Sequence, residues 1–206
     1  MALPLNTEAS GDFLPIIKYD ARAGRLLRVD RSPHADGSGW GKQEIDISTG
    51  VSFLADMAHI EVGWISFQTG VPDFSMIRID QLATGGSFPE KPSPDHRQGF
   101  RITVQLAQPP GDVRQFSHTA KCVVRAFDAL HTAYVEGLEQ ADNKTLVPRV
   151  TLAGTTPVKT YAPHGTTTNY APQFEITDWT PRPAAFDEVL KNAQAAGGSY
   201  DDDLPF

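Results

Sequence analysis

Cysteine is almost missing from this chain: Cys122 stands alone among 206 residues. A single thiol excludes an intrachain disulfide and a cysteine-built zinc centre, and it fits a reducing cytoplasm. Long apolar runs are missing as well. The opening "MALPLNTEASGDF" has neither a basic stretch nor an extended apolar one, so no signal peptide, membrane-spanning helix or membrane partner is expected. No segment repeats at a fixed period. Basic excess is also lacking: 18 Lys and Arg stand against 25 Asp and Glu, a net charge of -7. Averaged over the chain, that balance argues against a nucleic-acid partner.

Catalytic motifs fail one by one. "DGSGWGKQ" resembles a P-loop, but Asp36 takes the place of the first glycine and Gln43 that of the magnesium-binding hydroxyl. His59 and Glu61 have the H-x-E spacing of zinc deaminases without the P-C-x-x-C that must follow. The six histidines are scattered, and no G-x-S-x-G occurs. A terminal run of aspartates makes a poor metal cage. No catalytic residue, metal site or cofactor is assigned, and the chain is expected not to be an enzyme.

What is present is turn chemistry and short alternating segments. Gly (17) and Pro (16) are abundant, which favours a β-rich domain with many turns. In "FRITVQLAQ", Phe100, Ile102, Val104 and Leu106 share one face, while Arg101, Thr103 and Gln105 share the other. "GRLLRVDR", "QEIDIS", "HIEVGWISFQ", "FSMIRID", "PRVTLAG", "PVKTYAP" and "QFEITDWTPRP" read as further strands, with "HGTTTNY" at a polar hairpin tip. One helix interrupts them in "SHTAKCVVRAFDALHTAYVEGLEQA". Ala120, Val123, Val124, Phe127, Leu130, Val135 and Leu138 supply its apolar stripe, Ser117 its N-cap, and Gly137 a loosened last turn. A second helix, "PAAFDEVLKNAQAA", follows Pro183.

Strands, a helix, more strands, a helix and a tail is the order of an OB-fold-like barrel, with a helix between its third and fourth strands, extra hairpins, a C-terminal helix and a flexible acidic tail. A β-sandwich fits the strand count nearly as well. The expected divisions are 1–182 for the OB-like body, 183–196 for the C-terminal helix and 197–206 for the tail. Gly197 to Ser199 form the joint between the last two.

The tail "SYDDDLPF" combines three properties. Asp201, Asp202 and Asp203 attract basic surface at long range. Pro205 stiffens the approach to the end, and Phe206 carries a ring and the α-carboxylate together, with Leu204 as a second apolar contact. A pocket with an apolar floor and an Arg or Lys at its rim would bind all of this. From Asp187 onward five carboxylates oppose Lys191, a net of -4, which leaves -3 for the rest of the chain.

On those residues the chain resembles bacterial single-stranded DNA-binding proteins, whose C-terminal tip is a run of aspartates, an aliphatic residue, Pro and Phe. The family's long Gly/Gln/Pro-rich linker and its opening strand are not seen. A bacteriophage-type single-stranded DNA-binding protein, with a divergent OB-fold and an acidic tail ending in an aromatic, is similar in layout. The resemblance implies single-stranded DNA as ligand and a helicase, primase, nuclease or polymerase as the tail's partner, in the cytoplasm of a bacterial host. A homodimer is compatible with this layout; the bacterial family's tetramer is not carried over.

The body is then expected to supply cations for phosphates and aromatics for bases. "KYDARAGRLLRVDR" holds Arg22, Arg25, Arg28 and Arg31 beside Lys18, against only Asp20 and Asp30. Alternation turns Arg78 and Arg101 away from their core faces. Lys159 and Tyr161 share a strand face, Tyr170 lies near the hairpin tip, and Trp40 sits beside Lys42 in a glycine-rich loop. Trp64 and Phe67 are expected in the core. The alternative function is an adaptor or decoy whose body binds no DNA and whose tail captures host genome-maintenance proteins. A third reading is a phage structural β-sandwich with an accidental tail.

Overall fold

The computed structural model describes residues 14–33, 39–68, 72–140, 143–162 and 165–197. The acidic segment from Asp201 to Phe206 lies outside them, as does the side chain of Trp40. The described chain is mainly β, one open sheet of ten strands with three α-helices.

The strands are β1 (Ile16–Asp20), β2 (Arg25–Pro33), β3 (Trp40–Asp46), β4 (Ser52–Ala55), β5 (Glu61–Ser66), β6 (Asp73–Arg78), β7 (Arg97–Leu106), β8 (Asp112–His118), β9 (Leu146–Ala162) and β10 (Gly165–Pro181). Their order across the sheet is β10-β9-β4-β7-β8-β1-β2-β3. β5 pairs with β7, and β6 with β5, as a branch off that path. The β1–β8 pair is parallel. The helices are α1 (Ile79–Ala83), α2 (Lys121–Glu139) and α3 (Ala184–Gly197). None of the described helices is long and apolar enough to cross a membrane.

β7 organises the sheet. Phe100, Ile102, Val104 and Leu106 are all buried, as the alternation predicts. One edge of β7 runs along β8; the other is shared, Arg97–Arg101 with β5 and Val104–Leu106 with β4. Its core face meets α2, where Phe127 stacks on Phe100 with ring centroids 4.0 Å apart. Phe116 and Phe174 meet Phe127 edge-on at 5.1 and 5.2 Å. Edge-to-face and offset pairs of this kind suit the aromatic quadrupole and fix the seating of the helix.

α2 departs from expectation at both ends. β8 continues through His118, so Ser117 belongs to a strand and cannot cap the helix; the N-cap is Ala120, which offers no capping side chain. The buried stripe is Val123, Phe127, Leu130 and Tyr134, while Val135 is 43% exposed. Gly137 is needed for close approach. A Cβ there would lie 2.4 Å from the indole of Trp179, which stacks on Tyr134 with centroids 5.7 Å apart.

"PRVTLAG" and "PVKTYAP" form a single strand, β9, and with β10 make one long hairpin. Only Arg149–Thr151 of β9 pair with β4. Beyond that point the hairpin is a two-stranded arm. "HIEVGWISFQ" begins with a turn of 3-10 helix (Met57–His59), so the strand starts at Glu61, and Phe67 is 49% exposed instead of buried.

Two buried ion pairs lock distant segments. Arg114 reaches the carboxylates of Asp112 and Asp30 at 2.8 and 2.6 Å and donates to the Val29 carbonyl at 2.9 Å, joining β8 to β2. Asp56, at the end of β4, accepts two bonds from Arg182, at 2.6 and 2.7 Å, and lies 2.9 Å from His59 Nδ1. Arg182 also holds Asp187 of α3 and lies over the ring of the fully buried Phe186. Burial pushes the Asp56 carboxyl up, but the bonds from Arg182 and His59 outweigh it and hold the group below the usual range.

Removing Arg182 leaves Asp56 buried without its main partner. Arg182→Ala is expected to lose about 3–5 kcal/mol at neutral pH. In the native protein the Asp56 contribution is complete above the unfolded carboxylate value, about pH 4, and is lost as pH falls through the lower folded value. The gap between wild type and variant therefore narrows on acidification. Thermal melts across that range measure it, and a constant gap would contradict the assignment.

Candidate nucleic-acid interface

Most of the cations singled out in the sequence are already neutralised. Arg25 pairs with Asp46 at 3.2 Å, Arg28 with Asp30 at 2.9 Å, Lys42 with Glu44 at 2.6 Å and Arg78 with Asp80 at 2.8 Å. Arg101 is held by both oxygens of Glu61 and covers the ring of Phe74. Asp30, Glu44 and Asp80 stand two positions along from their cations, while Asp46 and Glu61 reach theirs from a neighbouring strand. β3 places Asp46 opposite Leu27 and Glu44 opposite Val29, delivering two acids to a stretch that is basic by local count. Arg22 and Arg31 are exposed and make no ion pair among the described residues, but they stand apart from any cavity found there.

Lys159 and Tyr161 belong to a different place. They line an open cleft of about 1280 Å³ between the arm, the first turns of α2 and the start of β7. Five cations face it: Lys91, Arg97, Lys121, Arg125 and Lys159. Among the described residues none of the five makes an ion pair, and no carboxylate lines the cleft. Lys121 and Arg125 stand one helical turn apart at the N-terminus of α2, which lacks a capping side chain. The helix dipole therefore adds positive potential at the same point. Tyr161 is 78% exposed. Trp64, expected in the core, is only partly buried and lines the same cleft.

The geometry of this site follows from a few contacts. The Tyr170 N–H donates to the Ala21 carbonyl at 2.6 Å, and its own carbonyl accepts from the Tyr19 hydroxyl at 2.9 Å. Gly24, at φ +68°, lets the β1–β2 turn close on Tyr170, whose Cβ would lie 2.9 Å from any added Cβ. Tyr170 is thus an anchor for the arm, with its ring half-buried. On the opposite wall, His118 Nδ1 accepts the Ala120 N–H at 2.9 Å, which leaves Nε2 protonated to donate to the Tyr19 carbonyl at 3.0 Å. Burial holds the imidazole pKa down, against the Tyr19 carbonyl and Asp20, so the ring stays neutral.

The arrangement suits a polyanion with flat faces. Cations and a helix N-terminus meet phosphates, and two aromatics offer ring faces. Sequence reasoning found Lys159 and Tyr161 and missed Trp64, Lys91, Arg97, Lys121 and Arg125. Only the Lys121–Arg125 spacing at a helix start carried a local signal. No metal-ligating group of His, Cys, Asp and Glu occurs among the described residues. No family model, no curated protein and no solved structure matches the chain.

His118 generates a pH prediction. Its folded pKa lies below the unfolded value of about 6.5, so its contribution is complete above that pH and declines as pH falls toward the folded value. His118→Gln is expected to melt lower than wild type at pH 7 and to lose less on going to pH 5. Parallel melting curves for the two proteins over this range would rule the assignment out.

Proposed function

We propose that the body binds single-stranded nucleic acid in the cleft between the arm and α2, without catalysis. The observation that carries this reading is the segregation of cations. Arg25, Arg28, Lys42, Arg78 and Arg101 are paired with carboxylates, whereas the five around the cleft have no acidic partner among the described residues. Cations left unpaired in one concave place, beside exposed aromatic rings, are what phosphate and unstacked bases require. An OB-like architecture belongs to the same reading: a largely antiparallel sheet packed on one long helix, with ligand taken by a sheet face and its loops. Asp201 to Phe206 would dock replication, recombination or repair proteins, as their acidic and apolar residues suit a basic-rimmed apolar pocket.

Titration of a labelled oligo-dT at two salt concentrations tests the body. Binding is expected to be salt-sensitive and indifferent to sequence. Lys121→Ala with Arg125→Ala should lower the slope of log K against log salt by about 1.4, at about 0.7 per phosphate contact on a single strand. Arg25→Ala and Arg78→Ala should leave it unchanged. No binding even at low salt would leave the adaptor reading, in which "DDDLPF" captures partners and the body binds no DNA.

The tail is tested separately by pull-down from a bacterial lysate. Deletion of Phe206 is expected to lose the genome-maintenance proteins that the full chain retains. Their retention would remove the docking role.

A further inference from the structure

Resting on the cleft reading, we propose that Trp64 is a base-stacking platform whose face is held by Lys91 in the free protein, and that Lys91 exchanges the ring for a phosphate when a nucleobase arrives. Trp64 sits in β5 opposite Gln98 of β7, and its ring opens on the cleft. The segment 84–96 crosses it as a strap. The indole N–H donates to the Pro89 carbonyl at 2.8 Å, Phe88 meets the ring edge-on at 6.3 Å, and the Lys91 ammonium lies over it, 5.5 Å from the centroid.

These three contacts do different work. The bond to Pro89 and the edge of Phe88 fix the orientation of the ring. Lys91 occupies a face. Apart from that face, its ammonium has one weak partner, the Pro94 carbonyl at 3.3 Å, and the side chain is exposed. Both acceptors are neutral. A phosphate offers the same ammonium a full negative charge, and a base offers the ring a larger flat surface than a single ammonium does. The strap itself is stiff. It carries Pro89, Pro92 and Pro94, and it is pinned at its end by His96, which is buried and bonded to Ser93 Oγ through Nδ1 at 2.8 Å. The exchange therefore needs only the lysine side chain to move.

Trp179 provides the contrast. Its ring stacks on Tyr134 and abuts the backbone at Gly137, and it does not line the cleft. Across the cleft, Tyr161 is the exposed aromatic that a strand leaving Trp64 would meet next.

The experiment uses the full chain labelled with fluorotryptophan, titrated with oligo-dT and followed by fluorine NMR. The Trp64 resonance is assigned with Trp64→Phe, and binding is read in parallel by anisotropy of a labelled oligo. The Trp64 resonance is expected to shift on binding while that of Trp179 stays. In Lys91→Met the Trp64 resonance of the free protein should already be displaced. The salt slope of that variant should fall by about 0.7, one phosphate contact. Oligo binding with an unmoved Trp64 resonance overturns the proposal and leaves the cleft reading standing. A wild-type salt slope in Lys91→Met overturns the exchange. Absence of any oligo binding overturns the cleft reading and this proposal with it.

Discussion

Tyr19 is the residue on which both walls of the cleft depend. It is almost wholly buried, and its two polar groups point to different elements. The hydroxyl donates to Tyr170 on the arm, and the carbonyl accepts from His118 at the foot of α2. The arm follows α2 in the chain, whereas Tyr19 is 151 positions from Tyr170 and 99 from His118. The arm and the helix could each pack in several ways on an apolar sheet, because apolar contact is not directional. The two hydrogen bonds are directional, and a buried donor or acceptor left without a partner is costly. One strand residue thus sets the separation of the two surfaces that carry Lys159 and Tyr161 on one side and Lys121 and Arg125 on the other. Burial also raises the pKa of the Tyr19 phenol, so it remains a donor throughout the ordinary pH range.

The same logic explains why charge is sorted as it is. A surface arginine facing a carboxylate across a sheet gains little stability, but it no longer presents free charge to a polyanion. Arg25 with Asp46 and Arg101 with Glu61 are pairs of that kind, and Arg28, Lys42 and Arg78 are likewise covered by carboxylates two positions along the chain. Where the arm, α2 and the 84–96 strap meet, five cations converge with no carboxylate among the lining residues; Asp73 reaches only His96. A protein of net negative charge can therefore hold a strongly positive cleft, provided its other cations are paired off.

What the sequence made legible was periodic and local. The β7 alternation, the α2 stripe around Phe127 and the C-terminal helix each follow from spacing within one element. What it hid was set by neighbours. "PRVTLAG" and "PVKTYAP" read as two strands, yet they are one, with Pro157 inside β9 and Pro172 inside β10. Tyr170, opposite Pro157, sends its own N–H outward to the Ala21 carbonyl, and a strand edge tolerates a residue without an N–H where that group would point outward. Ser117 looked like a cap because the extent of β8 is decided by pairing with β7, not by its own residues. Arg25 is neutralised for the same reason, since Asp46 arrives from the next strand, whereas Arg28 meets Asp30 of its own strand. Trp64 and Lys91 could not be joined in advance, because 27 positions separate them and a proline-rich strap brings them together.

This sorting also changes what the overall charge of -7 means for an anionic ligand. The Debye length in physiological salt is about 8 Å, so charges farther than that from the strand are largely screened. Much of the negative excess is carried from Asp187 onward, by α3 and by the residues that follow it. A strand in the cleft feels the five cations and the α2 terminus at short range and with partial desolvation, where screening is weakest. Lowering the salt strengthens those contacts, but it also lengthens the reach of every carboxylate of the chain. The balance of the two depends on which charges lie within a Debye length of the bound strand, a property of the fold that net charge does not report.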